Sequence, residues 1–310
     1  MEIIPYSLQK KAGWDRFVAN SKNANFQHYR NYMDYHRDRF TDNSLLFVED
    51  GNIIALLPAN KNHNMLISHL GLSYGGLLLS KTIKQKEVLD IFDELLKYAR
   101  DHRFGEIIIK LQPYIYNSYP SEEVHYALFR QNATLACRAA SSVICFTDML
   151  PFSKGRKWSL KKSMEYPFCI KESDDYKTFM DIERVVLKSK YNTAPVHTND
   201  EIAYLQKLFP ESIKLYSVYF EKVMIGGVIL FFMGPVLKCQ YICSNDLCKE
   251  IHGLDFLFDA LIKKYNTQFK FFDFGHSTLD GGRYLEDNLI QNKESYGARA
   301  VCYDSYTIKM

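Results

Sequence analysis

Two rhythms of apolar positions run along this chain, and they recur in the same order in each half. In the first half, Phe26–Phe40 is aromatic-rich with helical spacing. Two apolar runs, Leu45–Val48 and Ile53–Leu57, flank Glu49-Asp50-Gly51-Asn52. Asp-Gly between such runs predicts a tight hairpin, because both residues tolerate positive φ. A glycine-rich loop, Gly71 to Gly76, leads into Leu77–Leu79. Val88, Ile91, Phe92, Leu95, Leu96 and Ala99 then recur with a 3.6-residue period and predict a helix. Glu106–Leu111 predicts a strand, and its unbroken Ile107-Ile108-Ile109 predicts burial on both faces.

The second half predicts a helix over Tyr176–Leu187 and a second one behind the capping-box pattern Thr198-Asn199-Asp200-Glu201. Strands follow at Ile213–Phe220, Val223–Phe232 and Val236–Cys243. A helix from Gly253 carries Leu254, Leu257, Phe258, Leu261, Ile262 and Tyr265 on one face, ahead of a strand at Phe269–Phe274. Phe92-Asp93-Glu94-Leu95-Leu96-Lys97 matches Phe258-Asp259-Ala260-Leu261-Ile262-Lys263 in four of six positions. Each block sits in the order strand, strand, helix, strand, which points to a duplicated α/β (α+β) lobe: 1–150 and 151–310, each a mixed β-sheet flanked by helices.

Composition agrees with two lobes. The chain has 310 residues, 47% hydrophobic and 15% aromatic, enough for sizeable cores. Its 39 Lys and Arg against 36 Asp and Glu leave a formal charge of only +3, which gives no global attraction to duplex DNA. The longest uncharged stretch, Val223 to Leu237, is broken by Gly226, Gly227, Gly234 and Pro235 and falls short of a spanning helix. The N-terminus has no signal-peptide core, and the seven scattered cysteines are unlike a disulfide framework, so a soluble, cytoplasmic chain is expected. Cys239, Cys243, Cys248 and His252 have the residue types of a metal site. However, the first two lie four residues apart on a predicted strand, too far apart to share one ion, so no metal is expected.

Between the lobes, Lys154 to Lys162 places five cations in nine residues. Two readings stand: a solvated linker, or a segment at the lobe junction that contacts phosphate through Arg156, Lys157 and Lys161.

At the C-terminal end the chain reads Phe272-Asp273-Phe274-Gly275-His276-Ser277-Thr278, then Gly281-Gly282, Lys293 and Tyr296-Gly297. This ordered set resembles the C-terminal signature of FemAB-like transferases of the GNAT (N-acetyltransferase) superfamily. Ser73-Tyr74-Gly75-Gly76 resembles the Tyr-Gly-Gly loop of that family's first lobe, and Arg156 to Ser163 the basic opening of its second. His276 stands where the family usually has Arg, and Asn292 where it usually has Phe. The resemblance implies tandem GNAT-like lobes and transfer of an acyl or aminoacyl group to an amine. It also implies a cell-wall or surface-polysaccharide precursor as acceptor, a small or nucleotide-linked molecule, with acyl-CoA or aminoacyl-tRNA as donor and tRNA thus among the partners.

Within that resemblance, Lys293 occupies the signature lysine position, and Asp273 and His276 join it as candidate catalytic residues. Tyr74, Gly75, Gly76, Arg156, Lys157, Lys161 and Ser277 are candidate substrate contacts. Ser244, Asn245 and Gly253 lie where acetyl-CoA enzymes of the superfamily carry a glycine-rich loop. Here that segment has one glycine, flanked by Glu250 and Asp255, a poor cradle for pyrophosphate. Two alternatives to an aminoacyltransferase are an acyl-CoA-dependent N-acetyltransferase and a catalytically silent two-lobe binding protein.

Overall fold

A computed structural model describes the backbone of residues 1–310 and the side chains of residues 1–189 and 192–310. They form two compact units, neither one a continuous stretch. Unit one holds Met1–Ala140, Thr278–Leu285 and Cys302–Met310; unit two holds Ser141–Ser277 and Glu286–Val301.

In unit one, β1 (Leu45–Glu49) and β2 (Asn52–Leu57) pair as the expected antiparallel hairpin. Asp50 and Gly51 turn it with φ of 49° and 76°, the left-handed pair that a two-residue turn requires. β3 (Met65–Ile67) and β4 (Glu106–Lys110) run parallel, and α1 (Gln85–Asp101) lies between them in the chain, as a right-sized crossover must. α1 buries Val88, Ile91, Phe92, Leu95 and Ala99 in a core with Leu45, Phe47, Ala55, Leu57, Ile107 and Ile109. Ile108 is only half-buried, so β4 alternates and is not covered on both faces as its sequence suggested. Phe26–Phe40 is likewise not one helix but short turns at Phe26–His28, Arg30–Met33 and Asp34–His36. Tyr29 is extended between the first two, and the Arg30 N–H donates to Asp15 Oδ1 at 2.9 Å in place of a helical carbonyl. β5 (Thr134–Cys145) leaves this unit at Ala140.

The end of β5 opens unit two, and its first helix is α2 (Lys154–Ser163). The basic run is therefore a helix within this unit, not a linker. The Ser153 side chain caps it, accepting the Arg156 N–H at 3.2 Å. After α3 (Tyr176–Tyr191) comes α4 (Asn199–Leu208), whose Thr198–Glu201 capping box forms both of its hydrogen bonds. β6 (Ile213–Phe220), β7 (Val223–Met233) and β8 (Val236–Ser244) form an antiparallel meander. α5 (Gly253–Tyr265) then crosses to β9 (Phe271–His276), which runs parallel to β8. Leu257, Phe258, Leu261, Ile262 and Tyr265 of α5 pack on Leu237, Phe272 and Phe274. α6 (Asp287–Glu294) and β10 (Arg299–Lys309) complete the chain.

The same crossover, parallel strand to helix to parallel strand, thus sits at the centre of each unit. Both central strands gain their second neighbour from a distant part of the chain. Ser141–Cys145 of β5 pair with β9, and Ser305–Lys309 of β10 pair with β4, so neither β9 nor β4 is left as a bare edge. No helix among the described residues is long and apolar enough to cross a membrane.

Phe92 and Phe258 are equivalent in this scheme, and both are buried in their crossover cores. Phe92→Ala and Phe258→Ala should each lower stability by about 3–5 kcal/mol in urea denaturation. A loss below about 1 kcal/mol at either position would show that its helix does not hold its unit's core together.

Candidate functional site

The parallel ladder of unit two is short. Among the described residues its register joins only Val236–Lys238 to Phe271–Asp273, although β8 continues to Ser244 and β9 to His276. The strands therefore part beyond Lys238 and Asp273, and a fork opens toward the C-terminal end of β9. Open α/β sheets place ligands at such ends.

Asp273 marks the branching point. It is 0% exposed, and a carboxylate there must be paired and hydrogen-bonded to persist. Its Oδ1 accepts from the Ser141 hydroxyl at 2.5 Å and from the Gly275 N–H at 2.7 Å. The second bond closes a local turn with Gly275 at φ 82°, where the β9–β5 register shifts between Asp273 and His276. The bulge re-aims the last residues of β9. Two buried lysines act electrostatically with this carboxylate. Lys238 is its register partner on β8; burial lowers the Lys238 pKa, and Asp273 acts against that. Lys293 of α6 is 7% exposed; burial pushes its pKa down to about 8, again opposed by Asp273.

The Lys293 ammonium donates to the Gly275 carbonyl, the His276 carbonyl and the Ser277 hydroxyl, each at 2.9 Å. An ammonium has three hydrogens, so all are engaged. In this structure Lys293 fastens the loop that carries His276 and has no hydrogen left for a reacting carbonyl. His276 stands at the exposed end of β9. Its pKa is lowered, first by partial burial of the ring and then by the charges of Lys238 and Lys293, against the pull of Asp273. It is thus a neutral imidazole at physiological pH. The structure brings Asp273, His276, Ser277 and Lys293 together.

The candidate cofactor residues are taken up by their own turn. Ser244 ends β8 and is buried. The Asn245 side chain accepts the Cys248 N–H at 2.9 Å. A Cβ on Gly253 would sit 2.8 Å from Cys248 Sγ, so close packing explains this glycine. The first turn of α5, the natural anion position, is filled by Asp255. Arg156 ion-pairs with that carboxylate, the Tyr296 hydroxyl donates to it at 3.0 Å, and the Arg156 guanidinium lies 3.9 Å over the Tyr296 ring. Arg156 is thus turned inward, while Lys157 and Lys161 are exposed on the other side of α2. Cys239 and Cys243 are buried in β8, and burial pushes both thiols up.

Tyr74, Gly75 and Gly76 belong to unit one. Tyr74 is buried and its hydroxyl accepts from Asn25 at 3.3 Å; the Gly75 and Gly76 N–H groups donate to the Lys110 carbonyl at 3.1 and 2.8 Å. The Lys110 ammonium donates in turn to the carbonyls of His69 and Leu72. Burial lowers its pKa to about 8. Each unit therefore has a lysine, half-buried Lys110 in one and buried Lys293 in the other, that holds a glycine-containing loop near its central strands. The sequence reading missed Lys110, Lys238 and Ser141. Lys238 had a visible signal, a lone cation within an apolar strand.

No protein-family model matches the sequence, and no curated protein does. Solved structures match it over nearly its whole length. FemX aligns with 100% of this chain and 98% of its own at a TM-score of 0.72 and 10% identity. The C-terminal domain of a putative lysylphosphatidylglycerol synthetase from Agrobacterium fabrum aligns with 98% and 92% at 0.60 and 11%. A tandem GNAT protein from the clavulanic acid biosynthesis pathway aligns with 99% and 98% at 0.54 and 8%. The chain thus has the mixed α/β fold of FemAB-like, tandem-GNAT proteins.

Lys293→Met should orphan buried acceptors and cost about 1–3 kcal/mol. The folded-state pKa of about 8 lies below the ordinary 10.5, so between those values the unfolded chain holds the proton more tightly and this group makes stability rise with pH. Below about pH 8 that contribution is flat. In Lys293→Met the rise should shrink to the part due to Lys110 and Lys238. Identical pH slopes in wild type and variant would place the Lys293 ammonium in solvent.

Proposed function

We propose that this protein transfers an acyl or aminoacyl group to an amine, with an aminoacyl-tRNA as donor and a nucleotide-linked cell-wall or surface-polysaccharide precursor as acceptor. The observation that carries the reading is the fork between β8 and β9, with a neutral imidazole at its mouth. An amine must lose a proton as it attacks a carbonyl carbon. The new C–N bond forms, the ester C–O bond breaks, and the proton passes through His276 to the departing oxygen. The parting of the strands leaves room beside the His276 ring for an acyl-bearing segment. In this reading Lys293 is a positioning residue, since it acts through the His276 and Ser277 backbone. Asp273 is the counter-ion that allows two lysines to be buried beside it. Tyr74, Gly75 and Gly76 form a loop of their own in unit one, bonded to Asn25 and Lys110, and the two crossovers descend from one duplicated lobe.

Asp255 favours the aminoacyl donor over acyl-CoA. Its carboxylate, already neutralised by Arg156, occupies the helix N-terminus where a pyrophosphate would otherwise bind. A domain named for a lysylphosphatidylglycerol synthetase shares the fold, and its name describes a product bearing an aminoacyl group.

The test is transfer of a labelled group from aminoacyl-tRNA, or from acetyl-CoA, to an amine-bearing nucleotide-linked precursor. Turnover with the former alone is expected. Turnover only with acetyl-CoA would overturn the donor, and none with any donor would favour the silent binding protein. The lowered His276 pKa predicts an acid limb whose midpoint lies below the ordinary 6.5 of a histidine. His276→Ala should lose about 10²–10⁴-fold in kcat and also the acid limb. An unchanged profile in the variant would remove His276 from the proton path.

A further inference from the structure

We propose that the outer face of α2 docks on an anionic lipid bilayer. This rests on unit two alone and is independent of the transfer reaction. Arg156 is turned inward onto Asp255 and Tyr296, which fixes the rotation of the helix. The opposite face then presents Lys154, Lys157, Lys161 and Lys162, all exposed. Glu165 reaches Lys162 at 3.1 Å, and among the described residues no carboxylate forms an ion pair with the other three. Four outward lysines on one short helix, three of them in no ion pair among the described residues, make this face a local patch of positive charge.

Trp158 sits among these lysines and is 58% exposed, and Met164, just past the helix end, is equally so. The Trp158 ring touches the chain through an edge contact with His252, at 5.7 Å between centroids. A large exposed indole ringed by ammonium groups gains nothing from water. At a bilayer surface its apolar body reaches the acyl boundary while its N–H stays among the headgroups. Lysine stems lie along the same boundary with their charges on lipid phosphates. Met164 adds a flexible apolar side chain suited to the same layer. A helix built to grip nucleic acid would be expected to present guanidinium forks outward; here the one arginine points inward.

Tryptophan fluorescence reads this directly, because the chain has two tryptophans and Trp14 is 0% exposed. With vesicles of phosphatidylcholine plus phosphatidylglycerol, emission should shift to the blue and resist acrylamide quenching. The effect should be absent with phosphatidylcholine alone and reversed by high salt. The double variant Lys157→Gln, Lys161→Gln should bind anionic vesicles about 25-fold more weakly, at about fivefold per lysine. Trp158→Phe should abolish the spectral shift while the protein still sediments with the vesicles. Melting temperatures close to wild type show that both variants fold. An unshifted wild-type spectrum, or equal shifts on neutral vesicles, would overturn the proposal. A shift with uncharged tRNA but not with vesicles would also overturn it and make the face a nucleic-acid surface.

Discussion

A carboxylate with no access to water organises this molecule. Asp273 sits where two parallel strands part, and an isolated charge there would cost several kcal/mol. Its partners come from across unit two: a serine hydroxyl at the start of the unit, the backbone of Gly275, Lys238 one strand away and Lys293 on a later helix. The bulge after Asp273, the direction of His276 and the clamp on Ser277 all follow from satisfying that one group. The requirement also explains why Ser141–Cys145 pair with β9: without them Asp273 would lose the donor that Ser141 supplies.

Both crossover helices begin with their own carboxylates in place. Glu87 accepts the Lys84 N–H at 2.8 Å at the start of α1, and Asp255 occupies the first turn of α5. A helix N-terminus attracts anions because its first N–H groups lack partners. At α5 the carboxylate in the first turn pairs with Arg156 and accepts from the Tyr296 hydroxyl. At the fork stand the His276 ring, its pKa lowered, and the loop that Lys293 fastens.

Most of the elements were legible in the sequence because their signals are local. Asp50-Gly51 specifies its turn, Thr198 and Glu201 cap their helix, and the period of Val88 to Ala99 marks a buried face. Phe26–Phe40 misled because the Arg30 N–H is drawn to a side chain fifteen residues back. The basic run read as a junction because the partner that folds it into unit two, Asp255, lies 99 residues beyond Arg156. The candidate site was half legible. Asp273, His276, Ser277 and Lys293 stood out through their ordered resemblance. The pairing of Asp273 with Ser141 and Lys238 is tertiary, and no spacing reports it. The exchange of β5 and β10 likewise has no local signature, since each strand reads the same whichever sheet it joins.

The central claim is that Asp273, Lys238 and Lys293 set the charge state of His276 at the fork. The direct measurement is an NMR titration of the His276 ring, assigned by its loss in His276→Gln. The account predicts a pKa below the ordinary 6.5, because burial and the two lysines lower it. Lys238→Met should raise that pKa and Asp273→Asn should lower it further. A His276 that titrates at 6.5 in all three proteins would contradict the account.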